Sequence, residues 1–407
     1  MLMRSNQAIK AGSTVLSATA TWLLLRLLLS LWVVIISSLR PVTEAEKAIA
    51  VWPPSHPLTA WLERVLLLPW LRWDVEHFMK IALQGYRPDD GTAQFHPLYP
   101  LLGKFAGLLC GGNTLAGLLI VSSVFAFVCL KSFEYLAALD LPPQAARRAV
   151  FYFAHAPAAF VLFAPYTESL FLSCGIVALL MARRGQWWLA GAAGGLAALT
   201  RQQGIFLLVP LAWELWEWTA RDWRKLWANW RSALGLLLVP ASLLAWLFFR
   251  ALALSDVTFN WQQPGTLIYG LLISGSARRI VSVQSFMPPW QALQIAVSNL
   301  SATNVIDLTL GGFYLLLLLA GGRRLWQIRR SYFLYALVIL SVSFSLSTGR
   351  TASYMGLPRH CLLAFPLFLP LALWGERRLA HYLIMTAGLM VLLSLAMFYT
   401  TRILWVP

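Results

Sequence analysis

The sequence predicts an all-α, polytopic integral membrane protein with a bundle of about eleven transmembrane helices, formed by a single domain over residues 1–407. Two observations predict this class: a large excess of apolar residues, and short basic connectors between the apolar stretches. Hydrophobic residues make up 59% of the chain and charged residues 12%, whereas soluble domains have about 45–50% and about 25%. One or two soluble cores could not bury so much apolar surface, so we expect lipid to cover it.

The first long apolar stretch, 16–39, resembles a secretory signal peptide because it follows Arg4 and Lys10. It is longer than a signal-peptide apolar region of about 7–15 residues, however, and no small-x-small cleavage site follows it. We therefore expect a retained first helix.

Basic residues are placed as the positive-inside rule requires, with Arg4, Lys10 and five connectors in the cytoplasm. The connectors are Arg147-Arg148, Arg183-Arg184, 221–231, 323–330 and Arg377-Arg378. The predicted helices are 15–39, 114–138, 149–164, 168–182, 187–200, 203–218, 233–254, 303–320, 331–347, 359–374 and 380–400. This placement explains the net charge of +16, so the expected partner is the lipid bilayer and not nucleic acid.

The opposite, non-cytoplasmic face receives two long loops, about 40–113 and 255–302. Segment 62–71 of the first loop is amphipathic, and we expect it to lie as a helix in the membrane interface. The small-residue run 191–198 favours close helix packing, since it lacks the lysine and the strand–loop–helix context of a phosphate loop. The four cysteines have no CxxC spacing and indicate neither a metal cluster nor a disulfide framework.

The first loop holds the main candidate for acid–base chemistry, Asp74, in the string Arg72-Trp73-Asp74 with His77 close behind. Aromatic neighbours at a membrane surface would partly desolvate this carboxylate and suit it to accept a proton from a hydroxyl. The alternative is an exposed loop carboxylate without a chemical role, which is the more common case for charged loop residues.

A second carboxylate, Glu168, lies between two apolar helices, where ionisable groups usually face a polar cavity or a partner. Arg201 in the next connection is an obvious partner, so a structural pair and a direct substrate contact are both compatible with the sequence. Arginine forks match phosphate, and Arg201, Arg350 and Arg359 all lie on this face, although they could instead reach lipid headgroups. Converging acids and arginines at helix ends indicate a site at the membrane surface.

At these residues the sequence resembles the PIG-V-type mannosyltransferases of the GT-C glycosyltransferase class. The similar motifs occur in the family's order over most of the chain. They are Arg72-Trp73-Asp74, Phe78, Ile81-Ala82, Gly85-Tyr86, Phe95-His96-Pro97-Leu98-Tyr99-Pro100, Tyr166-Thr167-Glu168-Ser169-Leu170-Phe171, Thr200-Arg201-Gln202-Gln203-Gly204, Pro289-Trp290, Pro358-Arg359 and Phe365-Pro366. Two positions depart from the pattern: His360 replaces a more familiar tyrosine, and Trp261-Gln262-Gln263 matches loosely.

The resemblance implies a GT-C-like membrane fold and an inverting transfer of mannose from a polyprenyl- or dolichyl-phosphate carrier to a glycolipid, glycan or protein acceptor. It implies Asp74 as general base, with donor-phosphate and substrate contacts at a second set of residues. That set comprises Arg72, Trp73, His77, His96, Glu168, Arg201, Gln202, Arg350, Arg359 and His360. The expected location is a bacterial plasma membrane or the endoplasmic reticulum, with the site on the non-cytoplasmic face.

No metal is required on charge grounds, because a monophosphate leaving group carries less charge than a nucleotide diphosphate; Asp89-Asp90 is the candidate pair if one binds. Two other classes remain open from the residues alone. A transporter or lipid flippase would place its ionisable residues near the bilayer midplane in repeated halves, and no repeat is evident here. A non-catalytic scaffold would tolerate Asp74→Asn.

Overall fold

The computed structural model describes residues 15–40, 61, 63–87, 90–254 and 285–403, and these residues are mostly helical. The predictions made for Arg4, Lys10, Asp89, 261–263 and most of loop 255–302 therefore fall on residues outside the described ranges. The helices are α1 (Ala18–Leu39), α2 (Asp74–Gln84), α3 (Leu98–Leu109), α4 (Thr114–Ala138), α5 (Pro143–Ala154), α6 (Glu168–Arg183), α7 (Trp187–Thr200), α8 (Leu208–Trp218), α9 (Trp223–Ala228), α10 (Trp230–Leu236), α11 (Leu238–Ala253), α12 (Pro289–Ser298), α13 (Ala302–Ile328), α14 (Arg330–Ser343), α15 (Leu357–Leu362), α16 (Phe368–Trp374) and α17 (Arg378–Thr401).

Five described stretches are long and apolar enough to cross a membrane, and each coincides with a predicted span. They are Ala18–Leu39, Thr114–Ala138, Trp230–Ala253, Ala302–Ile328 and Arg378–Thr401. The chain is therefore built as an integral membrane protein, and the number of crossings beyond these five stays a prediction.

Three predicted helices are interrupted, mostly at proline. The segment 149–164 ends as an α-helix at Ala154, ahead of Pro157, and continues as the 3-10 turn Ala159–Leu162. The segment 359–374 divides into α15 and α16 around the 3-10 turn Phe365–Leu367, which contains Pro366. At the first break, proline drives the residue before it out of the helical region. At the second, Pro366 has no N–H to donate to the preceding helical turn. The segment 203–218 begins as the 3-10 turn Gln202–Leu207 before α8.

The predicted first loop is largely helical in its described part. The segment expected to form one interfacial helix over 62–71 is instead a π-helical turn, Glu63–Leu67, followed by the 3-10 turn Leu68–Trp70. Pro69 explains the change, because proline cannot continue a regular helix. Two helices that the sequence did not predict, α2 and α3, complete the loop. An antiparallel pair of two-residue strands, β1 (Ser285–Phe286) and β2 (Leu346–Ser347), is the departure from an all-helical chain among the described residues.

Close helix packing surrounds α6, which is buried along most of its length. The predicted packing role of run 191–198 is confirmed on α7. A Cβ added at Gly191 would lie 1.8 Å from the carbonyl oxygen of Gly235 in α10, so glycine is required at this approach. This packing brings the beginning of α6 and the end of α7 to the same end of the bundle.

Candidate active site

Four helix termini converge on one cluster of charged side chains. Asp74 is the first residue of α2, and Glu168 is the first residue of α6. Arg201 directly follows α7, and Arg359 lies in the short helix α15. The structure therefore brings together the two carboxylates and two of the three arginines that the sequence singled out. Both carboxylates occupy helix N-termini, where the helix dipole favours negative charge.

The cluster is a continuous chain of ion pairs. Nη1 of Arg359 donates to Oδ2 of Asp74 over 2.7 Å, and Nε of Arg359 lies 3.8 Å from Oε1 of Glu168. The same Oε1 pairs with Nη1 of Arg201. Nη2 of Arg201 lies 3.0 Å from Nδ1 of His360. A guanidinium can only donate, so Nδ1 of His360 accepts this bond and is unprotonated.

Burial within the cluster increases from Asp74 inwards. The side chains of Asp74, Arg359 and Glu168 are 20%, 9% and 0% exposed. Two carboxylates face two guanidiniums, so the charges balance, which a cluster this deeply buried requires. Asp74 keeps its Oδ1 free of protein hydrogen bonds among the described residues and is the member most open to a reactant.

Several buried polar atoms of the cluster have no hydrogen-bond partner within the described part of the chain. They are Oε2 of Glu168, Nε of Arg201, Nε of Arg359 and the hydroxyl of Tyr166, whose ring lies 5.3 Å from the Arg359 guanidinium carbon. Buried polar groups are nearly always paired, so unpaired ones call for an explanation such as a ligand or water. Here they are two donors, an acceptor and a hydroxyl, and each belongs to the ion-pair cluster or contacts it.

The backbone before Asp74 adopts an unusual conformation. Trp73 has φ 53° and ψ −120°, which side chains other than glycine rarely tolerate. One turn further, the His77 ring stacks on Phe95 with centroids 4.9 Å apart. Burial lowers the pKa of His77, so its imidazole is neutral at pH 7. The first turn of α2 is thus held in a defined geometry beside a neutral aromatic pair.

Two polar residues of α13, which the sequence reading missed, organise the segment that leads to Arg359. The carboxylate of Asp307 accepts the main-chain N–H groups of Gly356 and Leu357 at 3.3 and 3.1 Å, at the beginning of α15. Asn304 accepts the N–H of Ser353 at 2.8 Å and donates to the carbonyl of Arg350 at 2.8 Å. An aspartate inside a long apolar helix was the available sequence signal.

Other predicted site residues lie outside the ion-pair cluster. Arg72 is buried and donates to the main-chain carbonyls of Leu71 and Thr400, and His96 binds the carbonyl of Ala198 through Nδ1 at 2.8 Å. In the structure both side chains thus bind main-chain carbonyls, and their predicted substrate contacts stay a prediction.

Two further predicted residues are exposed. Gln202 directly follows Arg201, and Arg350 lies in the segment that leads to Arg359. Asp90 accepts the N–H of Thr92, closing a turn.

Within the described residues no group of three or more His, Cys, Asp or Glu side chains has a geometry suited to a metal. A cavity of about 420 Å³ lies elsewhere, lined by residues of the basic connectors such as Arg183, Arg221 and Arg329.

No family model matches the sequence. Among curated proteins, the chain is similar to GPI alpha-1,6-mannosyltransferase 2 of Rattus norvegicus, with 33% identity over 144 residues, and of Mus musculus, with 36% identity over 149 residues. These matches cover 33% and 34% of this chain but 29% and 30% of the relatives. Among solved structures, ArnT from Cupriavidus metallidurans in the apo state has a TM-score of 0.50 and 15% identity, covering 94% of this chain and 69% of ArnT. The chain thus has a fold similar to that of ArnT, and its resemblance to PIG-V-type mannosyltransferases is confirmed in sequence.

Proposed function

We propose that this chain is an integral membrane mannosyltransferase, taking mannose from a polyprenyl- or dolichyl-phosphate donor on the non-cytoplasmic face. The observation that carries the proposal is the ion-pair cluster of Asp74, Arg359, Glu168 and Arg201, which joins a partly open carboxylate to guanidiniums with unused donors. The names of the rodent relatives support mannose as the sugar.

Asp74 acts as the general base in this proposal. Its Oδ1 takes the proton of the acceptor hydroxyl while the acceptor oxygen bonds to the anomeric carbon of mannose. The bond from that carbon to the phosphate oxygen breaks on the opposite side, so the configuration inverts and polyprenyl phosphate leaves with the bonding electrons. Placing this carboxylate at a helix terminus, fixed by Arg359, provides the orientation on which the rate of such a step depends.

Arg359 and Arg201 stabilise the charge that develops on the leaving phosphate. Each has a buried Nε that makes no hydrogen bond among the described residues, and charge-assisted bonds to phosphate are among the strong hydrogen bonds in proteins. Glu168 orients both guanidiniums through Oε1. Its second oxygen remains available for a sugar hydroxyl.

The remaining roles are peripheral. Gln202 and Arg350 are exposed and would meet the donor headgroup at the rim, and His77 with Trp73 would border the acceptor. His360 orients Arg201 through its 3.0 Å contact. The acceptor is a glycolipid, a glycan or a protein segment, and the protein resides in a bacterial plasma membrane or the endoplasmic reticulum.

The decisive experiment uses purified protein in detergent with labelled polyprenyl-phosphate-mannose and a panel of membrane lipids, glycans and peptides. We expect label transfer by the wild type and near-complete loss in Asp74→Asn, with normal membrane insertion. Asp90→Asn is the matched control, because its turn hydrogen bond can be retained by asparagine. Full activity in Asp74→Asn would refute the base assignment. Proton-coupled transport in liposomes without transfer to any acceptor would refute the enzyme.

A further inference from the structure

The C-terminal turn of α17 contacts the chain segment that leads into Asp74. The hydroxyl of Tyr399 donates to the carbonyl of Trp70 at 2.9 Å, and Nε of Arg72 donates to the carbonyl of Thr400 at 3.1 Å. These two bonds join segments more than three hundred residues apart in sequence. Asp74 therefore begins its helix directly beside the end of the last transmembrane stretch.

Arg402, directly after α17, extends this contact into the first turn of α2. Its guanidinium forms an ion pair with the carboxylate of Glu76, and its guanidinium carbon lies 5.8 Å from the centre of the Trp73 ring. The side chains of Arg402 and Glu76 are 16% and 17% exposed, so solvent screens the pair only weakly. Arg402 thus contacts Trp73, directly before Asp74, and Glu76, two residues after it.

We propose that Arg402 is a positioning residue: by holding Trp73 and Glu76, it fixes the first turn of α2 and so the direction of the Asp74 carboxylate. This inference rests on the proposed function, in which Asp74 is the base.

The backbone of Trp73 shows why such a hold is needed. Its φ of 53° is strained for a tryptophan, and a strained conformation persists only where surrounding contacts over-determine it. On the far side, Arg359 binds Asp74 at 2.7 Å. The carboxylate is therefore fixed from two directions, by Arg359 at its oxygen and by Arg402 through the main chain. Releasing the second restraint lets the first turn relax.

The test combines kinetics with hydrogen exchange on the full-length protein in detergent. Arg402→Ala should lower kcat by about 10- to 100-fold, since a displacement of 1 Å can cost about 100-fold. The donor KM should stay within about twofold, because the phosphate contacts are untouched. Amide exchange should accelerate in segment 70–84 and not in α4 or α6. Arg402→Lys, which keeps the charge, should recover much of kcat.

Two further variants separate this proposal from general destabilisation. Glu76→Gln should reproduce the loss, and the double variant with Arg402→Ala should be no worse than the more damaging single change, since coupled residues act as one unit. Arg377→Ala, an exposed arginine at the other end of α17, is the control and should change nothing. Unchanged kcat in Arg402→Ala, or faster exchange spread over all helices, would overturn the proposal.

The result remains interpretable if the proposed function fails. If the wild type transfers no sugar to any acceptor, the exchange measurement decides alone. Faster exchange confined to segment 70–84 in Arg402→Ala then supports the hold on α2, and unchanged exchange there overturns it.

Discussion

Glu168→Gln removes the buried negative charge between two guanidiniums while preserving the size of the side chain. In the wild type, Oε1 of Glu168 pairs with Arg201 and lies 3.8 Å from Nε of Arg359. Without the carboxylate, Asp74 alone faces two positive charges, and the buried Arg201 loses its counter-charge. Removing one partner of a buried ion pair costs about 3–5 kcal/mol. We expect the free energy of unfolding to fall by an amount near the lower end of this range, because the glutamine carbonyl still accepts a hydrogen bond from Arg201.

The measurement is reversible unfolding in mixed micelles, followed by helical content. Glu376→Gln is the matched control: Glu376 is 59% exposed and pairs with Arg148 at 3.3 Å, and exposed pairs contribute about 1 kcal/mol or less. The double variant of Glu168→Gln with Arg201→Gln removes both charges. It should recover part of the loss, because contacting residues show interaction energies of about 0.5–3 kcal/mol.

Equal stability of Glu168→Gln and Glu376→Gln would refute the charge-balancing role of Glu168. A raised donor KM at unchanged stability would instead assign Glu168 to a sugar hydroxyl, the alternative that the sequence left open. The geometry predicts a loss of both stability and kcat in Glu168→Gln, with stability partly recovered when Arg201→Gln is added.

Three further changes have defined outcomes. Burial lowers the pKa of His96 to about 3, below its usual value, so the unfolded state binds the proton more readily than the folded state. The free energy of unfolding therefore falls by about 1.4 kcal/mol per pH unit as pH decreases from about 6.5 toward 3. His96→Gln should lack this contribution, and identical pH profiles of unfolding for both proteins would contradict it. Asp307→Ala leaves the N–H groups of Gly356 and Leu357 unpaired, so we expect a loss of about 1–3 kcal/mol in unfolding and a lower kcat, and wild-type values of both would contradict this. Arg359→Lys keeps the charge but loses the fork, so we expect kcat to fall about 100-fold in single-turnover assays, and retention of kcat would show that the fork is not required.

Composition and the lengths of the apolar stretches predicted the membrane class and the long helices, because apolar length reports directly on the solvent around the chain, while the orientation inferred from charge placement stays a prediction. Apolar length identifies a span whatever its neighbours are, and all five long candidate spans coincide with predicted helices. The ends of the broken helices were predicted poorly. Pro157 and Pro366 lie within apolar segments that read as continuous, and the turn that each produces depends on the backbone conformation before it.

The candidate site was predicted in part, for a similar reason. Asp74, Glu168, Arg201 and Arg359 are notable in sequence as charges beside apolar stretches, which made their convergence an expectation. Contacts between distant segments leave no local pattern. Arg402 and Glu76 are 326 positions apart, and nothing in either neighbourhood predicts their pairing. Arg72 has the same appearance in sequence as Arg359, yet it is turned toward main-chain carbonyls.

A second charge cluster, around Glu214 at the other end of the bundle, shows what a purely structural ion pair looks like in this protein. Glu214 accepts from Nε and Nη2 of Arg329 at 2.8 and 2.5 Å, and from the hydroxyl of Ser331 at 2.5 Å, so both its oxygens are used. The cluster around Glu168 is also buried but leaves one carboxylate oxygen and two guanidinium Nε groups without a hydrogen bond among the described residues. Leaving a buried polar group without a hydrogen bond costs about 1–3 kcal/mol. A cluster that served packing alone would therefore be expected to resemble the one around Glu214, in which both carboxylate oxygens are bonded. The unpaired groups therefore favour a ligand that supplies both acceptors and a donor, which the phosphate and hydroxyls of a phosphate-linked sugar do.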